Sequence, residues 1–304
     1  MGYSLEAVEN PREELRRIAK EQLDQAIESA TNRAMNRDEA VHDIRKCMKK
    51  VRAVLRMVRG ELGEKVYKSE NACFRDAAKS LAELRETAVL VGTVERLESQ
   101  FTEQLAPGLF DTLLRNLRGQ KTAVRERDLG KKNALDEVAV VLRDARKRVK
   151  DWPLKSKDFL LMAPGIRRVY KRGRKEFQTV TNAPSDENVH EWRKQVKYLW
   201  YHMRILDEVW PVVMGALIGE LDALSDRLGE DHDLADLRAV LAKKPELAGD
   251  LATHQTIVAL LECRQAELRS AAYALGQRIY AEKPAAFTAR LGMYWSASQS
   301  AAGV

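Results

Sequence analysis

The sequence predicts an all-α protein made of two similar helical bundles, and three observations carry that expectation. Apolar residues recur at spacings of three and four along almost the whole chain, with no sustained alternation that would mark strands. Helix-breaking residues are confined to a few places, and a helical segment near position 42 reappears 148 positions downstream. Sparse aromatics (6%) and a high charged fraction (32%) also favour helix over sheet, while 45% hydrophobic residues are enough to fill a sizeable core in 304 residues.

Taken in order, Pro107-Gly108, Trp152-Pro153, Pro164-Gly165, Pro184, Pro211, Pro245 and Pro284 divide the chain into helices. One of these is expected to run from about Phe110 to Asp151. The repeat supplies the larger organisation. Asp38-Glu39-Ala40-Val41-His42-Asp43-Ile44-Arg45-Lys46 corresponds to Asp186-Glu187-Asn188-Val189-His190-Glu191-Trp192-Arg193-Lys194. The register holds for Lys49 with Lys197 and Arg56 with Arg204, and a one-residue slip places Arg85-Glu86 on His232-Asp233. Upstream, Leu15-Arg16-Arg17-Ile18-Ala19-Lys20 matches Ile166-Arg167-Arg168-Val169-Tyr170-Lys171. So long a period excludes a solenoid and indicates a single domain, 1–304, made of halves at about 1–157 and 158–304. Packing of the halves about a pseudo-twofold axis would turn the two repeated helices toward one cleft.

Both copies open with helix-start chemistry: Asn36 with Glu39 three residues on, and Ser185 followed by Asp186 and Glu187. At about 100° per residue, His42, Arg45, Lys46, Lys49 and Arg56 share one face, opposite Ile44, Met48, Val51 and Leu55. The second copy sets His190, Arg193, Lys194, Lys197 and Arg204 opposite Trp192, Val196, Leu199 and Met203. A solvated helix face ordinarily mixes cations with acids at i and i+4, but these faces have no acid after Asp43 or Glu191. Such rows suit a phosphate polymer, with Arg contacting it bidentately and Lys as a point charge. Arg16, Arg17 and Lys20 in the first half, and Arg167, Arg168, Lys171, Arg172 and Arg174 in the second, are expected to add to them. Matched placement of the two histidines suggests contact with bound phosphate and an affinity that strengthens below neutral pH.

The formal charge of +7 is unevenly spread, with 20 basic and 7 acidic residues from Arg115 to Lys175 against 9 and 14 from Leu206 to Val304. Cys47, Cys73 and Cys263 form no CxxC pair, which argues against a disulfide framework or zinc knuckle and favours a reducing compartment. The longest uncharged apolar run, Val209 to Gly219, is too short to span a bilayer, so a soluble cytoplasmic protein without a membrane partner is expected.

At these residues the sequence resembles the CHAD family of histidine-containing all-α domains. Val41-His42-x-x-Arg45-Lys46-x-x-Lys49-x-x-Arg52-x-x-x-Arg56 and Val189-His190-Glu191-Trp192-Arg193-Lys194-x-x-Lys197 look like its two hallmark segments. Arg75-Asp76, Arg85-Glu86 and Gly165 to Arg174 support the likeness, which covers essentially the whole chain. The resemblance implies paired four-helix bundles enclosing a basic groove or pore that binds inorganic polyphosphate, often at polyphosphate granules, with no catalytic step and no cofactor or metal. Arg52 joins the site on this ground. Two departures stand out: Glu86 where the family has Asp, and Trp200 where the first copy has Arg52.

Two rival functions have some footing. His232-Asp233, with His190 or His202 and Asp250, loosely resembles an HD-type metal phosphohydrolase, although the repeat alignment reads His232-Asp233 as a structural polar pair near a bundle turn. Nucleic acid would also be drawn to a basic cleft, but no helix-turn-helix, zinc-finger or RNA-recognition signature is present, and neither Trp192 nor Trp200 is a clear stacking platform.

Overall fold

The structure, a computed structural model, describes residues 2–6, 10–101, 103, 105–129 and 134–302. All regular structure among the described residues is helical. In chain order the helices are α1 (Pro11–Thr31), α2 (Arg37–Met57), α3 (Arg59–Ser80), α4 (Ala82–Phe101), α5 (Asp111–Leu129), α6 (Ala134–Arg148), α7 (Ala163–Asn182), α8 (Asp186–Ile205), α9 (Pro211–Lys243), α10 (Leu251–Ile279) and α11 (Pro284–Ala302).

Local chemistry explains most of the boundaries. Pro11, Pro164, Pro211 and Pro284 occupy first turns, where a missing N–H costs nothing and a fixed φ favours the helix. Asn36 Oδ1 accepts from the Asp38 amide at 2.9 Å to cap α2, and Ser185 Oγ accepts from the Asn188 amide at 3.1 Å to cap α8. Two boundaries carry no such signal. α2, α3 and α4 follow one another through single residues, Val58 (φ −98°, ψ 14°) and Leu81 (φ −99°, ψ 12°), in a conformation open to any side chain. Gly63, at φ +71°, adds a kink within α3.

Within the helix expected from about Phe110 to Asp151 lie α5 and α6, and continuity between them through residues 130–133 lies outside the described residues. Leu113, Leu114 and Leu117 of α5 pack with Leu90 and Val94 of α4 and with Leu237 of α9. Leu135, Val138 and Leu142 of α6 belong to a different cluster, with Leu15, Ile18 and Leu23 of α1.

The apolar faces read from the two repeated helices are the buried ones: Ile44, Met48, Val51 and Leu55 in α2, and Trp192, Val196, Leu199 and Met203 in α8, have no solvent exposure. The larger cluster joins residues of α1 to α6 to those of α7 to α11, and the smaller joins α4 and α5 to α9 and α10. Each cluster draws on both sides of position 158, so the core is continuous across the boundary between the repeated segments.

α2 packs tightly against the second half at Gly165 in the first turn of α7. A Cβ there would stand 2.0 Å from the Met57 carbonyl oxygen and 2.6 Å from that of Arg56, both backbone atoms that cannot swing aside. Gly165→Ala is therefore expected to destabilise the protein by at least about 2 kcal/mol, as overpacking does. Gly119→Ala, on an open face of α5, should be neutral or stabilise by up to about 1 kcal/mol. Urea denaturation of the two variants checks the contrast, and equal effects would contradict the close approach.

Candidate functional site

α2 and α8 meet where His202 Nε2 lies 2.9 Å from the Ala53 carbonyl oxygen, with both residues fully buried. Ahead of that contact the helices border a cleft of about 730 Å³. From α2 it is lined by His42, Arg45, Lys46, Lys49 and Arg52, and from α8 by His190, Arg193, Lys194 and Lys197, followed by Tyr198, Trp200 and Tyr201. α4 supplies Arg85, Glu86, Val89 and Leu90, and α9 supplies His232, Asp233, Asp236, Ala239, Val240 and Lys243. Nine lysines and arginines thus face three carboxylates.

Nine of the residues marked in the sequence share this lining; the others are engaged elsewhere. Arg56 lies 3.9 Å over the Tyr198 ring and donates to Asn71 Oδ1 at 3.0 Å and to the Arg52 carbonyl at 3.1 Å. Arg204 lies 4.9 Å over Trp200 and 5.7 Å over Tyr3. Arg16 donates to the Trp152 carbonyl at 2.6 Å, and Arg17 pairs with Glu14 at 2.7 Å and Glu21 at 2.9 Å. These contacts satisfy the α1 arginines within the first half. Lys20 of α1 is not among the cleft residues, and neither are Arg167, Arg168, Lys171, Arg172 and Arg174 of α7, most of which are exposed. The reason is packing: α1 lies against α2 and α7 against α8, which leaves the lining to α2, α4, α8 and α9.

Some cleft cations have local partners and some do not. Arg45 donates to the Ala78 carbonyl, and Lys194 pairs with Glu191 one turn earlier. Asp233, besides facing the cleft, holds Arg96 at 3.0 Å. Lys49 is the most enclosed lysine of the cleft, and its pKa falls to about 7. Burial is the largest cause, and Arg193, Arg45, Lys197 and Arg85 all push in the same direction. Arg193 is itself lowered, mainly by burial, with Asp233 and Asp236 acting against the shift, and its Nε has no hydrogen-bond partner. Lys197 is likewise lowered by burial and by Arg193, partly offset by Asp226 and Asp222.

The cleft histidines are all held below the usual imidazole pKa. His190 and His232 lie with ring centroids 4.5 Å apart, and each is held at about 4. For both, burial is the main cause; His232 and Lys194 add to it for His190, and Arg193 adds to it for His232. His42 is lowered by burial and then by Arg85.

Several lining residues escaped the sequence reading. Arg85 and Glu86 were visible as the repeat partners of His232-Asp233, and all four residues line the cleft. His232-Asp233 does not lie near a bundle turn, as expected, but well inside the 33-residue helix α9, which forms a wall of the cleft. Asp236, Val240 and Lys243 continue the face that begins at Asp233 and become recognisable only once the orientation of α9 is known. The proposed HD constellation is not assembled. His202 is turned to the Ala53 carbonyl, and Asp250 caps α10 by accepting from the Thr253 amide at 2.9 Å. Among the described residues no group of three or more His, Cys, Asp or Glu side chains is placed to hold a metal ion.

Comparison with known proteins places the chain in a family and its fold among solved structures. The family model described as the CHAD domain matches residues 17–242. No curated protein matches the chain in sequence. Among solved structures, the CHAD domain from the plant Ricinus communis is similar with a TM-score of 0.59 and 15% identity, covering 91% of this chain and 94% of that one. PptA from Streptomyces chartreusis is similar with a TM-score of 0.60 and 15% identity, covering 88% and 98%. At that identity the two structures speak for the fold alone.

The position of Lys49 makes stability depend on pH with a defined sign. Its pKa is about 7 in the folded chain and about 10.4 in an unfolded one, so between those values the unfolded state holds more protons and stability rises with pH. Below pH 7 both states are charged and the full penalty is present. Lys49→Met should therefore stabilise the anion-free protein most at pH 6, with the gain shrinking toward pH 10. Urea denaturation of both chains at pH 6, 8 and 10 measures this, and a gain independent of pH would contradict it.

Proposed function

The chain belongs to the CHAD domain family, which is associated with polyphosphate-related proteins, and from that premise we propose that it binds inorganic polyphosphate in the cleft between α2 and α8 without catalysing a reaction. The observation that carries this reading is Lys49: an enclosed ammonium whose strongest electrostatic neighbours are four further cations. A row of phosphates supplies the missing negative charge. Arg45, Arg52 and Arg193 present guanidinium forks to phosphoryl oxygens, while Lys46, Lys49, Lys194 and Lys197 act as point charges. Displaced counterions add an entropic contribution that weakens as salt is raised. His42, His190 and His232, whose pKa values are lowered in the empty cleft, donate a ring N–H to anionic oxygens or take up protons as those oxygens approach.

The two sides of the cleft contribute unequally. Trp200 stands where the first copy has Arg52, and its ring carries Lys197 at 4.3 Å and Arg204 at 4.9 Å. Tyr198 is covered by Arg56. Rings already engaged by cations are poor platforms for nucleobases, which favours a chain of phosphates over single-stranded nucleic acid. Among the described residues no helix is long and apolar enough to cross a membrane. Association with cytoplasmic polyphosphate granules follows from this reading as a further proposal.

Arg45→Gln combined with Arg193→Gln removes two charge-assisted contacts, each worth about 1.5–3 kcal/mol, so polyphosphate affinity should fall by at least about 100-fold. Circular dichroism controls for folding, and Lys46→Glu with Lys194→Glu, on more exposed positions, provides a second pair that should weaken binding in the same direction. Unchanged affinity in folded variants of both pairs would reject the site. Single-stranded RNA at matched salt should displace polyphosphate poorly, and equal displacement would reassign the ligand.

A further inference from the structure

A second basic groove lies between α4 and α5. Its volume is about 390 Å³. Ala88, Val91 and Gly92 of α4 form one side, and a Cβ added at Gly92 would meet nothing within 4 Å, so the groove is open there. α5 sets Arg118, Lys121 and Arg125 along the other side, at the i, i+3 and i+7 positions of one helix face. Glu95 is its single lining carboxylate and is already held by Arg118 at 2.8 Å.

One ion pair ties the groove to the helix that lines the cleft. Lys121 pairs at 2.5 Å with Asp38, which precedes His42 by one turn on α2. Asp38 also acts on Arg85, a cleft residue. Arg37, next to Asp38 on α2, is lowered by burial and then by Arg125 and Arg33, with Asp136 and Asp38 acting against the shift. Basic surface therefore continues from the His42 end of the cleft, past Asp38, onto α5.

We propose that the α4–α5 groove is a second subsite for the same polyanion, engaging the part of a long phosphate chain that emerges from the His42 end of the cleft. The inference rests on the polyphosphate reading of the cleft and adds a consequence for chain length. From His42 to Arg52 the lined part of α2 extends about 15 Å, so a short oligophosphate is accommodated within the cleft while a long chain must leave it. At that end Lys121 is already paired with Asp38 of α2, and Arg125 follows one turn beyond on α5. Lys121 exchanges Asp38 for a phosphoryl oxygen at little cost, because a partly exposed ion pair contributes little by itself.

The test uses the full chain carrying Arg118→Gln, Lys121→Gln and Arg125→Gln, with tripolyphosphate and long-chain polyphosphate as probes over a range of salt. Tripolyphosphate affinity should stay within about twofold of the original. Long-chain affinity should drop about tenfold or more, and the log–log salt slope should shrink by about two, since each phosphate contact contributes about 0.7 to the slope for a single strand. An unchanged long-chain affinity and slope would overturn the groove subsite while leaving tight binding by the original chain, and hence the cleft reading, intact. Equal losses for both probes would also overturn it, because a subsite for overhanging chain cannot affect a ligand that does not reach it. Failure of the original chain to bind either probe would instead defeat the cleft reading and the groove with it.

Discussion

Cations gathered where water is scarce repel one another, and the arrangement of α2, α4, α8 and α9 follows from that constraint. Two like charges about 6 Å apart cost on the order of 3 kcal/mol at an effective dielectric near 20. The cleft collects nine lysines and arginines against Glu86, Asp233 and Asp236. Its empty form is therefore electrostatically unfavourable, and the depressed pKa of Lys49 is the clearest sign of it. An anion that enters relieves the repulsion and simultaneously restores charge to the groups that had lost it.

Such a site needs a rigid support. The opposite faces of α2 and α8 are buried, and the helices are fixed to one another by the His202 contact to the Ala53 carbonyl and by Tyr3, which donates to the Lys50 carbonyl of α2 at 2.8 Å and packs edge-on against Tyr201 of α8 at 5.6 Å. Around this crossing Arg56 and Arg204 are held on Tyr198 and Trp200. The outer end of the cleft is supported differently, by the cluster of α4, α5, α9 and α10 and by the pairing of Arg96 with Asp233. Burial of apolar surface on one side of each helix thus opposes charge repulsion on the other.

Much of this was legible in the sequence, and the exceptions have physical reasons. Amphipathic spacing identified the buried faces of α2 and α8 residue by residue, because a face that alternates every three or four positions has only one way to be buried. The repeated histidine-led segments identified α2 and α8 as related, and the slipped match of Arg85-Glu86 with His232-Asp233 marked the other two walls. Asp236 and Lys243 were not recognisable, since a charge on a mostly apolar helix means nothing until its neighbours are known. Arg16 and Arg17 looked equivalent to the cleft arginines, yet Glu14, Glu21 and the Trp152 carbonyl satisfy them locally. The turns at Val58 and Leu81 escaped notice because their backbone angles require no special residue. Those turns nevertheless decide where α4, and with it Arg85, comes to lie.

If relief of repulsion is what draws the anion in, binding and protonation are one event. At pH 7.5 Lys49 is largely neutral in the empty cleft and would be charged beside phosphate, with His42, His190 and His232 able only to add to the uptake. Calorimetric titration with long-chain polyphosphate, in buffers of different ionisation enthalpy at pH 7.5, counts those protons. Uptake of about half to one proton per cleft, lost in Lys49→Met, is the expected result; binding with no proton exchange, or with net release, would contradict the electrostatic basis proposed for the cleft.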